Sequence, residues 1–477
     1  MNVRPQARKT KVVATLGPAC DSSETLKAMI LAGMNVARLN LSHGTFADHA
    51  RRLRQLRQAA AEIGATVAVM ADTKGIEIRT GAVDGGAALL ESGAPFDLYT
   101  DERVGGASGV SVSYPALADE VAPGARVLLD DGLIELEVED AGPGAIHCRV
   151  RRGGRLGNGK GVNLPGVELS IHAVRPESRD ELQFACEHDV EYLAASFVRT
   201  PEDIEEIRAF VESQGADIPI IAKIENLAGV QHLDAIVAAA NGTMVARGDL
   251  GVELPVAEVP TLQKRIIRTT VMNGKPVITA TQMLDSMERN PLPTRAEVSD
   301  VANAILDGTS AVMLSGETAI GKYPVEAVST MAALALQAEA SLAEYGYLQK
   351  ILPDTAHRVT EAVSQAAITM ARHLNAAAIF SLTETGFTSR QVSKYRPDCP
   401  NLAITTSPKV VRRLAMNWGV VPLLYDGVSS DEAKIEFAIG RGKALGYLRA
   451  GDIVVATAGH SEHAGTTNLI RVLTVDN

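Results

Sequence analysis

The chain has 477 residues, which is too long for a single hydrophobic core and predicts roughly two to four domains. Its 46 basic and 57 acidic residues give a net charge of −11, which argues against non-specific binding of nucleic acid or of an anionic membrane surface as the main function. Four well-separated cysteines form no C-x-x-C pair, so the sequence predicts neither a disulfide framework nor a thiolate zinc site. No apolar stretch is long enough to span a bilayer, and we expect a cytoplasmic protein.

Eight short apolar runs alternate with helical stretches along the first two thirds of the chain. The runs are residues 11–17, 34–44, 67–75, 192–198, 218–226, 243–251, 275–283 and 310–317. Strands that alternate with amphipathic helices, such as 261–273 and 295–306, predict right-handed βαβ units, and eight of them predict a closed (β/α)8 barrel. Thr294 precedes the second of these helices and Glu297 follows three residues later, which predicts a capping box.

The barrel period is interrupted once, after the third strand. The intervening segment is rich in Gly and Val and has short alternating runs at 125–140 and 145–154, which predict a small inserted β-barrel domain. A second α/β pattern follows, with a helix at 358–373 and strands at 376–384, 401–407, 420–426, 452–459 and 469–475. We therefore predict three domains: a barrel of residues 1–78 and 167–340, an inserted β domain of 79–166, and a C-terminal α/β domain of 341–477.

Nearly every predicted barrel strand ends in polar residues that a packed barrel does not need. The fifth and sixth strands end in AKIEN and ARGDLG, which contain Lys223, Glu225 and Asp249. Because the carboxyl ends of parallel strands carry the ligand-binding loops, these residues predict a site for a metal ion and a phosphate. Taken singly, each polar residue is equally consistent with capping a helix or satisfying a strand-end amide, whereas together they favour a site.

The residue types in this predicted site indicate which ions it suits. Glu225 and Asp249 supply hard oxygen ligands on adjacent strands, which suit Mg²⁺ or Mn²⁺ and leave positions for substrate oxygens. Lys223 suits charge developing on a transferring phosphoryl group or an enolate, although a plain salt bridge to Glu225 is the alternative. Arg38 is a candidate phosphate clamp. Four further residues offer neutral or singly charged oxygens that suit K⁺: Asn40, Ser42, Asp72 and Thr73.

Residues 154–161, GRLGNGKG, match the G-x-x-x-x-G-K part of a P-loop. Gly161 stands where that motif needs Ser or Thr, and no α/β nucleotide-binding unit surrounds it. We therefore expect no P-loop fold here, although Lys160 is still a candidate for contact with a nucleotide phosphate.

With these residues identified, the chain resembles the pyruvate kinase family over almost its whole length. Matching segments include MNVARLNLSHG (34–44), DTKGIEIRTG (72–81), ARGDLGVE (246–253) and PTRAEVSDVANAILDGTSAVMLSGETA (293–319). The resemblance implies that the inserted domain is a mobile lid and that the C-terminal domain carries an effector site. It also implies the last step of glycolysis, in which phosphoenolpyruvate and ADP give pyruvate and ATP, with Mg²⁺ or Mn²⁺ and K⁺ as cofactors, in a homotetramer.

The resemblance also assigns roles to individual residues. Lys223 would stabilise the transition state, Arg38 would hold the transferred phosphate, and Glu225 and Asp249 would bind the divalent metal. The carboxylate of phosphoenolpyruvate would be bound by Gly248, Asp249 and Thr281. Thr281 is also a candidate catalytic residue. The K⁺ ligands would be Asn40, Ser42, Asp72 and Thr73. Glu77 is an acidic residue at a position where K⁺-independent relatives carry Lys, so the resemblance implies dependence on K⁺. Nucleotide contacts would be made by Asn40, His43, Arg79 and Lys160.

The segment TETGFTS (383–389) resembles the effector loop of the family, in which backbone amides and hydroxyls bind an anion. The resemblance implies a site for a phosphorylated small molecule at four residues: Thr383, Thr385, Gly386 and Thr388. Glu384 places a carboxylate where relatives that respond to fructose 1,6-bisphosphate often have Lys. A sugar monophosphate, AMP and no effector at all are therefore open alternatives.

Two other classes of protein are compatible with parts of the sequence. Another metal-dependent barrel that acts on phosphoenolpyruvate or on pyruvate enolate, such as an aldolase or a phosphotransfer synthase, would lack the inserted domain with Arg79 and Lys160. A nucleotide requirement therefore separates it from a kinase. A catalytically silent relative would have lost one of four residues that this chain keeps: Lys223, Glu225, Asp249 and Thr281.

Overall fold

A computed structural model describes residues 8–75, 77–346, 357–428, 430–459 and 467–476. The chain begins with β1 (Lys11–Thr15), α1 (Ser23–Ala32), β2 (Val36–Asn40), α2 (Phe46–Glu62) and β3 (Ala68–Asp72). The three strands are parallel neighbours, and Asn40 lies opposite Asp72 in the register of β2 and β3. The side chains of Ser22 and Thr45 accept hydrogen bonds from backbone amides at the start of α1 and α2, which is the usual way that a helix begins.

An all-β unit then interrupts the barrel. Its elements are β4 (Ile78–Arg79), β5 (Ala87–Leu90), β6 (Pro95–Tyr99), β7 (Gly109–Ser111), α3 (Leu117–Glu120), β8 (Arg126–Leu129), β9 (Ile134–Gly142), β10 (Ala145–Arg152), β11 (Gly154–Gly157) and β12 (Gly161–Asn163). Seven strands form one sheet in the order β4-β12-β8-β9-β10-β6-β7, and a bridge between Thr80 and Val112 joins its two ends. Phe96, Leu98 and Leu136 are fully buried in the core of this unit, against which Phe197 from the barrel also packs.

The barrel resumes after the insertion. Its elements are α4 (Pro176–Glu187), β13 (Tyr192–Ala195), α5 (Pro201–Ser213), β14 (Ile220–Ile224), α6 (Leu227–Gln231), α7 (Leu233–Ala239), β15 (Gly242–Ala246), α8 (Arg247–Glu253), α9 (Val259–Met272), β16 (Val277–Ala280), α10 (Arg295–Leu306), β17 (Ala311–Leu314), α11 (Gly316–Ala319), α12 (Pro324–Glu339) and α13 (Leu342–Tyr345). Eight parallel strands close in the order β1-β17-β16-β15-β14-β13-β3-β2, as predicted. Almost every residue of these strands is buried, as expected for a parallel sheet that is covered by helices.

Two local predictions have different outcomes. The capping box at α10 is confirmed, because Thr294 Oγ1 accepts from the amide of Glu297 (3.3 Å) and the Glu297 carboxylate accepts from the amide of Thr294 (2.7 Å). The strand predicted at 243–251 is too long. β15 ends at Ala246, and ARGDLG continues as the short helix α8. Asp249 lies in the first turn of that helix, where a carboxylate is stabilised by the helix dipole.

The C-terminal unit is a separate α/β sheet. Its elements are α14 (Arg358–His373), β18 (Ala378–Leu382), α15 (Phe387–Lys394), β19 (Asn401–Thr405), α16 (Pro408–Leu414), β20 (Val420–Leu424), α17 (Asp431–Ala444), β21 (Ile453–Gly459) and β22 (Thr467–Thr474). The strand order is β20-β19-β18-β21-β22, with β22 antiparallel to its neighbour. Across the parts of the chain that the structure describes, no helix has the length and apolar character needed to cross a membrane. The domain boundaries given above stay predictions.

The C-terminal unit packs against the amino end of the barrel through α16 and the residues after it. Met416 is fully buried and joins the apolar cluster inside the barrel, where it packs with Tyr192 among others. The hydroxyl of Tyr192 donates to the carbonyl oxygen of Arg413 (2.7 Å). Arg412 forms ion pairs with Asp189 (3.1 Å) and with the fully buried Glu191, both of which precede β13. The contact therefore fixes the start of a strand that ends at the opposite face of the barrel.

Gly17 lies where the loop after β1 meets α11. A Cβ atom at this position would overlap the backbone oxygen of Ala319, and backbone atoms cannot move aside as a flexible side chain does. We predict that Gly17→Ala lowers the free energy of unfolding by about 1–3 kcal/mol through overpacking. Gly440→Ala is the control, because Gly440 lies within α17 with open space around it, and there Ala is expected to be neutral or stabilising. The free energies of unfolding of both variants are measured in urea. Equal values for the two variants would contradict this account.

Lys11 begins β1 and is buried against the C-terminal unit, where its ammonium donates to the carbonyl oxygen of Val420 (2.7 Å). Burial lowers the pKa of Lys11 to about 7, and the nearby Arg8 lowers it further, whereas Glu339 opposes the shift. The unfolded chain keeps the ordinary value near 10.5, so between pH 7 and about 10 the folded state releases a proton that the unfolded state retains. The Lys11 contribution to stability therefore rises with pH across this window.

We predict that Lys11→Met removes this pH dependence. The Tm of the variant minus that of the parent should fall by roughly a few degrees between pH 7 and 10. The fluorescence of Trp418, the single tryptophan of the chain, reports unfolding at this interface. The exposed Lys322 provides the control variant Lys322→Met. A Tm difference that stays constant with pH would contradict the prediction.

Candidate active site

Lys223, near the end of β14, lies at the centre of the carboxyl end of the barrel. Its ammonium donates to Ser196 Oγ (2.6 Å) and lies 2.8 Å from Glu225 Oε1 and 3.3 Å from Asp72 Oδ1. The side chain is 11% exposed. Burial by itself lowers the pKa of Lys223, but the two carboxylates outweigh it and raise the pKa well above its usual range. The salt bridge to Glu225 is thus present as one of three contacts, and the group is a fixed positive charge.

Asp72, at the end of β3, lies between two cations. Its Oδ2 accepts from Arg38 Nε (2.6 Å), and its Oδ1 faces Lys223. Burial opposes ionisation of this carboxyl, but Arg38 and Lys223 together hold its pKa below the usual value. Arg38 is 8% exposed and also donates to Thr15 Oγ1 (3.1 Å), so that its guanidinium is held at the end of β2.

Glu225 and Asp249 form the acidic side of the site. Burial raises the pKa of Glu225 to about 7, with Lys223 opposing the shift and Asp249 adding to it. Burial also raises the pKa of Asp249. Glu225 is buried and Asp249 is partly buried, and two neighbouring carboxyl groups in such surroundings favour a shared proton or a cation between them, so this donor set fits a divalent metal ion. No group of three or more His, Cys, Asp or Glu residues that could hold a metal occurs in the described ranges. A divalent ion held by two carboxylates would keep positions for water and for substrate oxygens.

The loop after β16 carries backbone strain. Thr281 and Gln282 have φ angles of 65° and 52°, which a β-branched residue such as Thr rarely adopts. The hydroxyl of Thr281 accepts from the amide of Gly248 (3.0 Å), and its carbonyl oxygen accepts from Arg247 Nη2 (2.6 Å). The strained loop and the start of α8 are therefore locked together. Strain that the surroundings impose in this way is concentrated at functional sites.

The loop after β13 contributes two residues that the sequence interpretation missed. Ser196 accepts from Lys223 and donates to the carbonyl oxygen of Thr73 (2.7 Å). The amide of Phe197, a residue with a φ of 57°, donates to Glu225 Oε2 (2.6 Å). The signal was available in the sequence, because Ser196 is a polar residue near the end of the fourth apolar run, 192–198.

The residues predicted to bind K⁺ lie at the ends of β2 and β3. Asn40 and Asp72 are register partners, and Asn40 Oδ1 accepts from the amide of Ser42 (3.2 Å). The hydroxyl of Thr73 donates to the carbonyl oxygen of Ala194 (3.2 Å). The adjacent strands thus bring neutral oxygens and one carboxylate to the same edge of the barrel, which is a donor set that suits a large monovalent cation.

The residues predicted to bind a nucleotide lie in two domains. Arg79 and Lys160 lie close together in the inserted unit, where Arg79 is ion-paired with Glu77 and donates to the carbonyl oxygen of Gly159 (2.7 Å). Lys160 lies 2.9 Å from Asp130. The segment 154–161 consists of β11, a short connection and the first residue of β12, which lie in different sheets, and it forms no P-loop, as expected. Asn40 and His43 lie on the barrel, and the amide of His43 donates to the carbonyl oxygen of Asn40 (3.3 Å).

A cavity of about 780 Å³ lies between the inserted unit and the barrel. Residues from both units line it, among them Glu77, Asp131, Asn163, Asp249 and Glu253. Asn163 Nδ2 lies 3.3 Å from Glu253 Oε1 and links the two walls. A small molecule at the carboxyl ends of the strands therefore has the inserted unit above it.

The segment predicted to bind an effector forms the loop between β18 and α15. Gly386 has a φ of 81° and immediately precedes the helix. The hydroxyls of Thr388 and Thr467 are 2.7 Å apart, and the amide of Phe387 donates to Thr385 Oγ1 (3.4 Å). Thr383 is buried at the start of the loop.

Glu384, in the same loop, is already paired. Its carboxylate accepts from Lys434 (2.7 Å) and from the hydroxyl of Thr406 (3.0 Å). The positive charge of Lys434 is therefore balanced by a carboxylate of the same chain.

The fold and the site together define a class of protein. A closed parallel barrel with a buried lysine, carboxylates and a strained threonine loop at its carboxyl end is the arrangement of a (β/α)8 enzyme that binds an anionic substrate. Comparison with known families is more specific. The family model described as "Pyruvate kinase, barrel domain" matches residues 7–328, and the one described as "Pyruvate kinase, alpha/beta domain" matches residues 361–473.

Individual relatives agree with this result. The chain is 48% identical over 469 residues to "Pyruvate kinase" of Geobacillus stearothermophilus, covering 98% of this chain and 80% of the relative. It is 44% identical over 472 residues to "Pyruvate kinase" of Clostridium acetobutylicum, covering 98% of this chain and 100% of the relative. The crystal structure of a pyruvate kinase from Cryptosporidium parvum has a TM-score of 0.92 and 38% identity, covering 98% of this chain and 96% of that one. The chain therefore belongs to the pyruvate kinase family of phosphotransferases.

Proposed function

We propose that this chain transfers the phosphoryl group of phosphoenolpyruvate to ADP and gives pyruvate and ATP, as the last step of glycolysis. The observation that carries the proposal is the buried ammonium of Lys223, held between Asp72 and Glu225 beside the carboxylate pair Glu225 and Asp249. A fixed positive charge in a site with little water stabilises negative charge far better than one in solvent. Phosphoryl transfer of this kind depends mainly on positioning and on charge stabilisation.

Glu225 and Asp249 are the residues that would hold Mg²⁺ or Mn²⁺. When bound there, the ion supplies positive charge that neutralises phosphate and enolate oxygens. In our proposal Gly248, Asp249 and Thr281 hold the carboxylate of phosphoenolpyruvate, and Arg38 binds the transferred phosphate. The hydrogen bond between the amide of Gly248 and Thr281 Oγ1 supports this seat, because it fixes two of the three residues relative to each other.

In the same proposal, Asn40, His43, Arg79 and Lys160 bind the nucleotide phosphates, and the inserted unit closes over the site as a lid. The ion pairs of Arg79 with Glu77 and of Lys160 with Asp130 keep both basic side chains ordered before a nucleotide arrives. Closure would exclude water, which otherwise competes with ADP for the phosphoryl group.

The C-terminal loop of Thr383, Thr385, Gly386 and Thr388 is the proposed site of an activating phosphorylated metabolite. Support comes from the amides at the start of α15, which together with hydroxyls suit an anion. The pair between Glu384 and Lys434 favours a ligand with one phosphate, because a second phosphate would compete with a carboxylate already in place. We also propose a homotetramer, supported by exposed apolar side chains on α14 and β22, namely Val359, Met370, Leu469 and Val472.

Lys223→Met tests the central role. We predict that the variant loses pyruvate formation from phosphoenolpyruvate and ADP by on the order of 10³-fold, because methionine fills the space without the charge. Binding of phosphoenolpyruvate with Mn²⁺ should persist and can be followed by calorimetry without ADP. If the parent has no turnover with Mg²⁺ and K⁺, the proposed reaction itself is wrong. If the variant turns over normally, the role assigned to Lys223 is wrong.

A matched control is Lys275→Met. Lys275 precedes β16 at the opposite end of the barrel, where it donates to three carbonyl oxygens at the end of α7. Both variants exchange a largely buried lysine for the same residue. Turnover by Lys275→Met should stay within about threefold of the parent at 25 °C, because the change lies far from the reacting groups.

Glu77→Lys tests the monovalent site. Glu77 lies between the barrel and the inserted unit and lines the cavity. A lysine here would supply a positive charge of its own, so we predict that turnover becomes largely independent of K⁺. Glu77→Gln removes the carboxylate without adding a cation and should keep the K⁺ requirement. A K⁺ titration that is the same for Glu77→Lys as for the parent would count against the assignment of the K⁺ ligands.

A further inference from the structure

Ser196 makes contacts that the proposed reaction does not use. Its hydroxyl oxygen lies 2.6 Å from Lys223 Nζ, 2.7 Å from the carbonyl oxygen of Thr73 and 3.3 Å from Asp72 Oδ1. The residue is 8% exposed. We propose that Ser196 is a positioning residue, which fixes the ammonium of Lys223 and connects it to the K⁺ ligands Asp72 and Thr73. This inference rests on the proposed function.

The direction of each hydrogen bond follows from chemistry. A protonated lysine only donates and a carbonyl oxygen only accepts, whereas a hydroxyl carries one proton and two lone pairs. Lys223 must therefore donate to Ser196, and the hydroxyl proton of Ser196 points to its closest acceptor, the carbonyl oxygen of Thr73. A lone pair of Ser196 is then turned permanently towards Lys223.

The Ser196 hydroxyl is the one neutral acceptor among the three that surround the ammonium. Glu225 Oε1 (2.8 Å) and Asp72 Oδ1 (3.3 Å) also accept from Lys223, and each draws Nζ towards its own side of the site. An ammonium has three N–H donors, so the third, directional hydrogen bond to Ser196 completes the set and selects one position of Nζ. Without the hydroxyl, Lys223 would still be charged and buried, but it could settle closer to either carboxylate and away from the phosphoryl group.

The loop that carries Ser196 is itself held firmly. The amide of Phe197 donates to Glu225, and Phe197 has the left-handed φ of 57°. On the other side, a Cβ atom at Gly75 would lie 2.7 Å from Ser196 Cβ, so the backbones of the two loops are in close contact. Ser196 is therefore a fixed point from which the flexible side chain of Lys223 can be positioned.

The same hydroxyl reaches the proposed monovalent site. The carbonyl oxygen of Thr73 accepts from Ser196, and Thr73 and Asp72 both belong to the set of oxygens that would bind K⁺. A cation at these oxygens and the ammonium of Lys223 thus share one hydrogen-bonding partner. We expect that removal of the hydroxyl alters the response to K⁺ as well as turnover.

The test uses Ser196→Ala and Ser196→Cys in the full chain. Alanine removes the hydroxyl, and cysteine keeps a side chain of similar shape with only weak hydrogen bonding, so that loss of packing is controlled. The matched control is Ser178→Ala. Ser178 is 7% exposed and makes comparable hydrogen bonds, accepting from the amide of Arg175 (2.8 Å) and donating to its carbonyl oxygen (3.0 Å), but at the start of α4.

Three quantities are measured for each protein: kcat with phosphoenolpyruvate and ADP, the Kd of phosphoenolpyruvate with Mn²⁺ but without ADP, and the K⁺ concentration that gives half of the K⁺-induced rise in Tm. Tetramethylammonium keeps the ionic strength constant. For both Ser196 variants we expect kcat to fall on the order of tenfold to hundredfold, the Kd to change less than about threefold, and the K⁺ midpoint to rise at least about threefold. Ser178→Ala should change none of them.

Several outcomes would overturn the inference. Turnover of Ser196→Ala within about twofold of the parent would exclude a positioning role. An equal loss in Ser178→Ala would attribute the effect to packing, and a parallel loss of phosphoenolpyruvate binding would make Ser196 part of the substrate seat. An unchanged K⁺ midpoint alongside lower turnover would break the link to Asp72 and Thr73. A parent without turnover would instead refute the proposed function, which distinguishes the two failures.

Discussion

The buried carboxylate of Asp72 is the interaction on which the site depends. A charge that is 1% exposed is stable only when it is paired, and Asp72 is paired twice, with Arg38 from β2 and with Lys223 from β14. The three residues come from strands that the barrel holds in a fixed register, so the spacing of the charges follows from the backbone. Removal of either cation would leave a buried negative charge under-compensated. The two positive groups that would meet a phosphate are thus oriented before any ligand binds, which lowers the cost of organising them during the reaction.

The neighbouring part of the site has more carboxyl groups than cations. The buried Glu225 and the partly buried Asp249 share one strong cationic neighbour, Lys223, and withdrawal from solvent raises the pKa of both carboxyl groups. One half of the site therefore has two cations around one carboxylate, and the other half has two carboxyl groups that favour a further cation. A phosphorylated substrate together with a divalent metal ion satisfies both halves at once, whereas either alone satisfies one. The charge distribution favours a metal-bound phosphate ester over a neutral substrate.

The sequence predicts the barrel well because parallel strands buried on both faces appear as continuous apolar runs, and each observed strand lies within its predicted run or begins within a residue of it. The sequence also predicts the polar strand ends, because polar residues are conspicuous at the end of a continuous apolar run. It does not reveal that ARGDLG turns into α8, because a glycine and an aspartate after a strand are compatible with a loop or a helix start. It also does not reveal the left-handed φ angles of Phe197 and Thr281, which tertiary contacts impose. Nor can it pair Lys160 with Asp130, since that contact depends on the register of the inserted sheet.

The C-terminal unit contributes to the charge balance of the barrel as well as to its packing. Glu191 is fully buried at the amino end of β13, where it also accepts from the amide of Val69 (2.7 Å) in β3. Its charge is compensated by Arg57 from the barrel and by Arg412 from α16. Arg57 alone, at 3.5 Å, is a weak partner, so docking of α16 removes most of the cost of burying this carboxylate. The strands that Glu191 ties together, β3 and β13, end next to Thr73 and Ser196. A contact made by the C-terminal unit at one end of the barrel thus stabilises the two strands that position Lys223 at the other.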